Sequence, residues 1–82
     1  MIVFPEHALE RMEERGASRH EVRTTIRKGE ASDARHGRTE FTCTFPFEDE
    51  WNGTYYEHKE LTVYAADDGG DWIVVTVISR YY

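Results

Sequence analysis

Three side chains at four-residue spacing, His7, Arg11 and Arg15, are the first candidates for chemistry in this sequence. On a helix, at about 100° per residue, they fall in one row. The row runs along the edge of an apolar stripe made by Ala8, Leu9 and Met12, with Glu6, Glu10, Glu13 and Glu14 on the far side. A long side chain at such a boundary lays its stem on apolar surface and keeps its polar end wet. The imidazole and the two guanidiniums are therefore expected to reach the margin of whatever the helix packs against, and Arg80, near the end of the last apolar stretch, is expected to join them. An imidazole passes protons near neutrality, while guanidiniums clamp a phosphate and offset the charge of a pentacoordinate intermediate. That combination suits RNA cleavage by attack of a 2′-hydroxyl. The same spacing also suits solvated ion pairs, with Glu10 and Glu14 as partners for Arg11 and Arg15, and composition alone favours the ion pairs.

The remaining candidates are weaker. His20 is expected to face outward on a second helix, His36 lies in the loop segment DARHGR, and His58 sits in the acidic segment YEHKE. None of them has metal-ligand spacing with the one cysteine, Cys43, or with a carboxylate, so neither a structural zinc nor any cofactor is expected. Cys43 belongs to the alternating run Phe41 to Phe45 and reads as a small packed side chain, not a nucleophile. The segment FPFEDEWNGTYYEHKE is acidic and aromatic together, which suits a turn or a protein-contact loop better than a surface for stacked bases, because carboxylates repel phosphates.

Local signals supply the elements that must carry these residues. Pro5 suits a first helical turn, Glu6 suits the positive end of the helix dipole, and Gly16 suits a left-handed cap, giving a helix over about 5–15. Ser18 with Glu21 has capping-box spacing and opens a second helix over about 18–28, with Val22, Thr25 and Ile26 inward. Beyond residue 30 the period becomes two. Strands are expected over about 39–45, 55–66 and 72–80, with Asn52-Gly53 and DDGGD as turns, Pro46 as an end or edge, and Ile2 to Phe4 as a further short edge strand. This order gives an α+β fold with two helices on one face of a three- to four-stranded antiparallel sheet. In the last strand, strict alternation puts Trp72, Val74, Thr76 and Ile78 on one face and Ile73, Val75 and Val77 on the other. Both faces are then apolar and both need cover. Either Trp51, Tyr55 and Tyr56 fold over the second face, or a partner covers it, as a homodimer or a bound second protein.

The chain's 82 residues fit one domain covering 1–82, with no room for a second core. Its 39% hydrophobic content excludes a disordered chain, and no apolar run reaches the roughly 18 residues of a membrane span. The single cysteine and the start MIVFPEH, which lacks a basic and a long apolar region, lead us to expect a cytoplasmic protein. The net charge of −6 argues against general coating of nucleic acid. It is unevenly placed: residues 1–39 hold eight Lys/Arg against seven Asp/Glu, whereas residues 40–82 hold two against nine. A local basic site is thus compatible with the total.

The opening HALERMEERGAS, a short second helix ending near Lys28-Gly29 and a last strand WIVVTVISR resemble a group of small bacterial and phage domains of unknown function, similar to the BrnT, RelE and ParE toxins. The resemblance implies the RelE-like toxin fold and points to His7, Arg11, Arg15, Thr76 and Arg80 as site residues. It also implies an RNA substrate, an antitoxin partner, and a toxin-type endoribonuclease or a diverged inactive relative. The contrasting expectation is a non-enzymatic accessory module that grips another protein through the acidic aromatic loop and the apolar sheet face.

Overall fold

The computed structural model describes residues 1–82, and its elements follow the change of period near residue 30. The first helix, α1 (Glu6–Arg15), starts after Pro5, and Gly16 closes it at φ 71°, its N–H bonded to the carbonyls of Met12 and Glu13. The second, α2 (Arg19–Lys28), carries the expected capping box. Glu21 N–H donates to Ser18 Oγ at 3.1 Å, and Ser18 N–H donates to Glu21 Oε1 at 2.9 Å. Both helices begin one residue later than expected because Pro5 and Ser18 serve as caps.

Five strands, one more than the upper expectation, form a single sheet: β1 (Ile2–Val3), β2 (Glu30–Asp33), β3 (Thr39–Trp51), β4 (Thr54–Asp68) and β5 (Asp71–Tyr81). Their order is β1-β5-β4-β3-β2. All neighbours are antiparallel except β1, which lies parallel to β5. The unexpected strand is β2, whose four residues EASD are all exposed and so show no apolar alternation. Pro46 does not end β3. The strand continues to Trp51 past a register shift between Pro46 and Asp49, where Glu48 takes φ 49°. A bulge accommodates a residue that cannot donate to the ladder. Two-residue turns, Asn52-Gly53 and Gly69-Gly70, join β3 to β4 and β4 to β5, all four residues having positive φ as such tight hairpins require.

The helices cover one face only. Ala8, Met12, Ala17, Val22 and Ile26 pack against Phe41, Leu61, Val63, Ala65, Val74 and Val77. Trp72 meets Phe41 edge-on, with ring centroids 5.1 Å apart. Cys43, a free and half-buried thiol, pairs across the ladder with Leu61.

The strict alternation expected for β5 fails at one residue. Tyr64 pairs with Thr76, but the next residue, Ala65, pairs with Val74, so Val75 is an inserted bulge residue. Side chains beyond it change phase. Val74 and Val77 are both fully buried under the helices. Thr76, Ile78 and Arg80 consequently project from the opposite face.

That opposite face is open, and the aromatic cover considered for it lies elsewhere. Trp51 stacks on Tyr81 at 5.1 Å and 13°, and Tyr56 approaches the same ring at 5.7 Å. The Tyr81 hydroxyl donates to the Arg15 carbonyl at 2.7 Å, which fixes this cluster at the helix end. Tyr55 is 58% exposed, and Ile78 on the open face is 45% exposed.

A buried cation ties the layers together. Lys59 of β4 donates from Nζ to the Gly16 carbonyl and, at 2.8 Å, to Glu21 Oε1. Its ammonium also lies 5.6 Å from the Phe47 ring centroid and 5.9 Å from that of Tyr81. Burial pushes the Glu21 carboxyl up, but hydrogen bonds from Lys59 and Ser18, with the Lys59 charge, outweigh it and hold Glu21 below its ordinary 4.5. A carboxyl depressed in the folded state contributes stability above its unfolded pKa, and this is lost as pH falls through the folded value.

Two measurements test this joint. In urea denaturation, stability is expected to decline as pH drops from about 5 towards 3, and Glu21→Gln should flatten that decline; an unchanged acid limb would contradict the assignment. At neutral pH Glu21→Ala should cost about 3 kcal/mol by leaving a buried ammonium unpaired. Gly16→Ala adds a Cβ 2.6 Å from the Tyr81 hydroxyl and 2.7 Å from the Trp51 ring at a left-handed φ. Thermal unfolding should show a loss above about 1 kcal/mol.

Candidate functional site on the open sheet face

The segment DARHGR crosses from β2 to β3 as a closed loop. Ala34 N–H donates to the Arg38 carbonyl at 2.9 Å, and Arg38 N–H donates to the Arg35 carbonyl at 3.2 Å. His36 and Gly37 both take left-handed conformations, φ 59° and 70°. For histidine this conformation costs about 1–2 kcal/mol, and such strain concentrates at functional positions. Arg38 braces the turn by donating from Nη1 to the His36 carbonyl at 2.9 Å.

Beside this loop the sheet presents a row across three strands, Glu40, Tyr64 and Thr76, in direct register. Loop and row together line an open cleft of about 450 Å³ that includes Arg35, His36, Arg38, Glu40, Tyr64 and Thr76. Arg38 Nε is buried and has no hydrogen-bond partner. An unpaired guanidinium donor enclosed in a fold is costly. The neighbouring Glu40 carboxylate, with some burial, pushes the Tyr64 phenol above its ordinary 10.0. Tyr64 is therefore a protonated donor at neutral pH.

The five residues expected at a site are divided between the two sides of the sheet. Thr76 lines the cleft. Arg80 shares its face two register steps along β5, paired opposite Glu60, with Nε 3.4 Å from Glu60 Oε1. His7, Arg11 and Arg15 belong to α1, on the covered side. His7 is exposed, and Arg11 is held by Glu14 at 2.8 Å beside a shallow depression that also includes Glu10 and Glu13. Arg15 contributes its backbone carbonyl, which accepts from Ser79 Oγ at 2.9 Å and from Tyr81. The expected meeting of Arg80 with the helical row therefore does not occur, and the Val75 bulge is the reason: without it, alternation carries Arg80 to the same side as Val74.

Sequence reasoning weighs His36 only as a metal ligand and does not single out Arg35, Arg38 or Tyr64. The available signal was DARHGR itself, in which two arginines flank a histidine followed by glycine. Tyr64 gave none, because its role depends on cross-strand pairing. No three His, Cys, Asp or Glu side chains gather closely enough to hold a metal ion.

Fold and cleft together define a small α+β domain with one sheet face covered by helices and an arginine-flanked cleft at the other. The chain belongs to the DUF4258 family, a domain of unknown function, whose family model matches residues 4–79. No curated protein and no solved structure matches it. No helix is long and apolar enough to cross a membrane.

Replacing Glu40 by Gln should lower the Tyr64 pKa towards 10.0, since the carboxylate is the main cause of its elevation. Ultraviolet titration of the phenolate in wild type and variant reads this directly; coincident curves would refute the pairing.

Proposed function

We propose that this domain is an endoribonuclease whose site is the open-face cleft. The reading rests on one observation: Arg35, His36, Arg38 and Tyr64 line a single cleft, which sets two guanidiniums, an imidazole and a phenol together. The two guanidiniums hold the scissile phosphodiester and offset the charge of the pentacoordinate phosphorus. His36 takes the proton of the neighbouring ribose 2′-hydroxyl, the 2′-oxygen bonds to phosphorus, and the bond to the 5′-oxygen breaks. Tyr64 protonates the departing 5′-oxygen and regains a proton through solvent from the imidazolium. The products are a 2′,3′-cyclic phosphate and a 5′-hydroxyl. Local arrangement, not net charge, supplies the affinity: with two phosphate contacts on a single strand, log K is expected to fall against log salt with a slope of only about −1.4.

The test is incubation of the purified domain with single-stranded RNA and with DNA of the same sequence, in the presence of a chelator. Cleavage of RNA alone is expected, with cyclic phosphate ends, and His36→Ala should slow it by about 10²- to 10⁴-fold. Intact RNA, or a His36→Ala variant as active as wild type, would sink the reading.

The apolar residues of the same open face, with Ile78 45% exposed, favour a second reading in which an antitoxin-type protein or a second copy covers it. A dimer in light scattering that Ile78→Asp dissociates supports the second copy; a monomer in both leaves only the heterologous partner.

A further inference from the structure

Beyond the cleft, the open face carries a second group of side chains suited to a nucleic acid strand. Counting along β4 from the cleft, the outward residues are Tyr64, Thr62, Glu60 and His58, opposed on β5 by Thr76, Ile78 and Arg80 and finally by Tyr82. The last pairing is held by two backbone bonds, His58 N–H to the Tyr82 carbonyl at 2.7 Å and Tyr82 N–H to the His58 carbonyl at 3.0 Å. Here the His58 and Tyr82 rings stack with centroids 4.9 Å apart and planes 23° from parallel. The Arg80 guanidinium lies 4.5 Å from the centre of the Tyr82 ring. Arg80 itself is steadied by Glu60.

The Tyr82 ring meets both the His58 imidazole and the Arg80 guanidinium in a preassembled stack, and Tyr82 is 46% exposed. A π-face beside a cation is the surface on which nucleobases stack without regard to sequence. The members of this stack face away from the helices and lie outside the core. Tyr64 and His58 are six steps apart along β4, about 20 Å at the rise of a strand. That distance corresponds to about six stacked nucleotides at 3.4 Å each.

We propose that the His58, Arg80 and Tyr82 stack is a base-binding subsite that receives a single-stranded RNA segment roughly six nucleotides from the phosphate held in the cleft. The proposal rests on the RNA reading of the cleft and extends it to the length of strand recognised. It gives Arg80 a role as a stacking residue remote from the reacting atoms.

The probes are 2′-O-methyl oligoadenylates of two and six nucleotides, which cannot be cleaved, measured by fluorescence anisotropy with the 82-residue chain. The six-mer should bind more tightly than the two-mer. Tyr82→Ala and His58→Ala should each weaken the six-mer by roughly 5- to 150-fold, the range for loss of one stacked base. Two-mer binding should be unaltered, and Tyr82→Phe should retain full six-mer affinity. Circular dichroism and thermal melts establish that these surface variants fold. If Tyr82→Ala and His58→Ala bind the six-mer as wild type does, the subsite is overturned while the cleft stands. If six-mer binding responds to Tyr82→Ala but not to Arg35→Ala with Arg38→Ala, the subsite stands and the cleft reading falls. If neither oligonucleotide binds, both fall together.

Discussion

A single ammonium group holds the two layers of this domain in place. Lys59 is 4% exposed, and its charge is met by the Glu21 carboxylate and the Gly16 carbonyl, both from the segment where the helices join. Removing either partner leaves an expensive buried charge, so the joint between helices and sheet has one low-energy arrangement. The capping box uses the same Glu21 side chain, which accepts from Ser18 N–H while it pairs with Lys59. Start of α2, end of α1 and centre of β4 are thereby fixed relative to one another. Around the ammonium, Phe47, Tyr81 and Trp51 close the end of the structure against Gly16, where no Cβ fits.

With the helices fixed on one face, the other face is left to function, and Val75 decides which residues occupy it. Local signals made both helices, their caps and three long strands legible, because capping spacing, a left-handed glycine and two-residue turns act over a few residues. Strand β2 was not legible, since the sequence EASD buries nothing and pairs only through its backbone. The bulge was not legible either. In TVIS and IVVT a run of apolar or β-branched residues fits either phase, and only the pairing of Ala65 with Val74 resolves it.

The same ambiguity explains why the expected site residues part company. Helical spacing correctly groups His7, Arg11 and Arg15 on one element, yet it contains no information about the sheet face their partners adopt. Thr76 and Arg80 depend on the bulge, and Arg35, His36 and Arg38 depend on a loop whose closure is made by backbone bonds. Tyr64 and Glu40 meet only across strands. What family membership adds is the unit itself: residues 4–79 form the recurring domain, which includes the whole cleft and Lys59.

The Lys59 contact also bears on how the chain acquires its structure. Lys59 and Gly16 are 43 positions apart, so closing that contact early costs a large loop. The hairpins β3–β4 and β4–β5 close through two residues each and need no such loop. The two ten-residue helices are too short to persist alone in water. Loop-closure cost is therefore lowest for the three-stranded meander, and the contact that seats the N-terminal half on it carries the larger cost. The helix-bearing half is also the sheet's sole cover: strands without it would be bare on both faces, and exposed strand surface of that kind associates with its own kind.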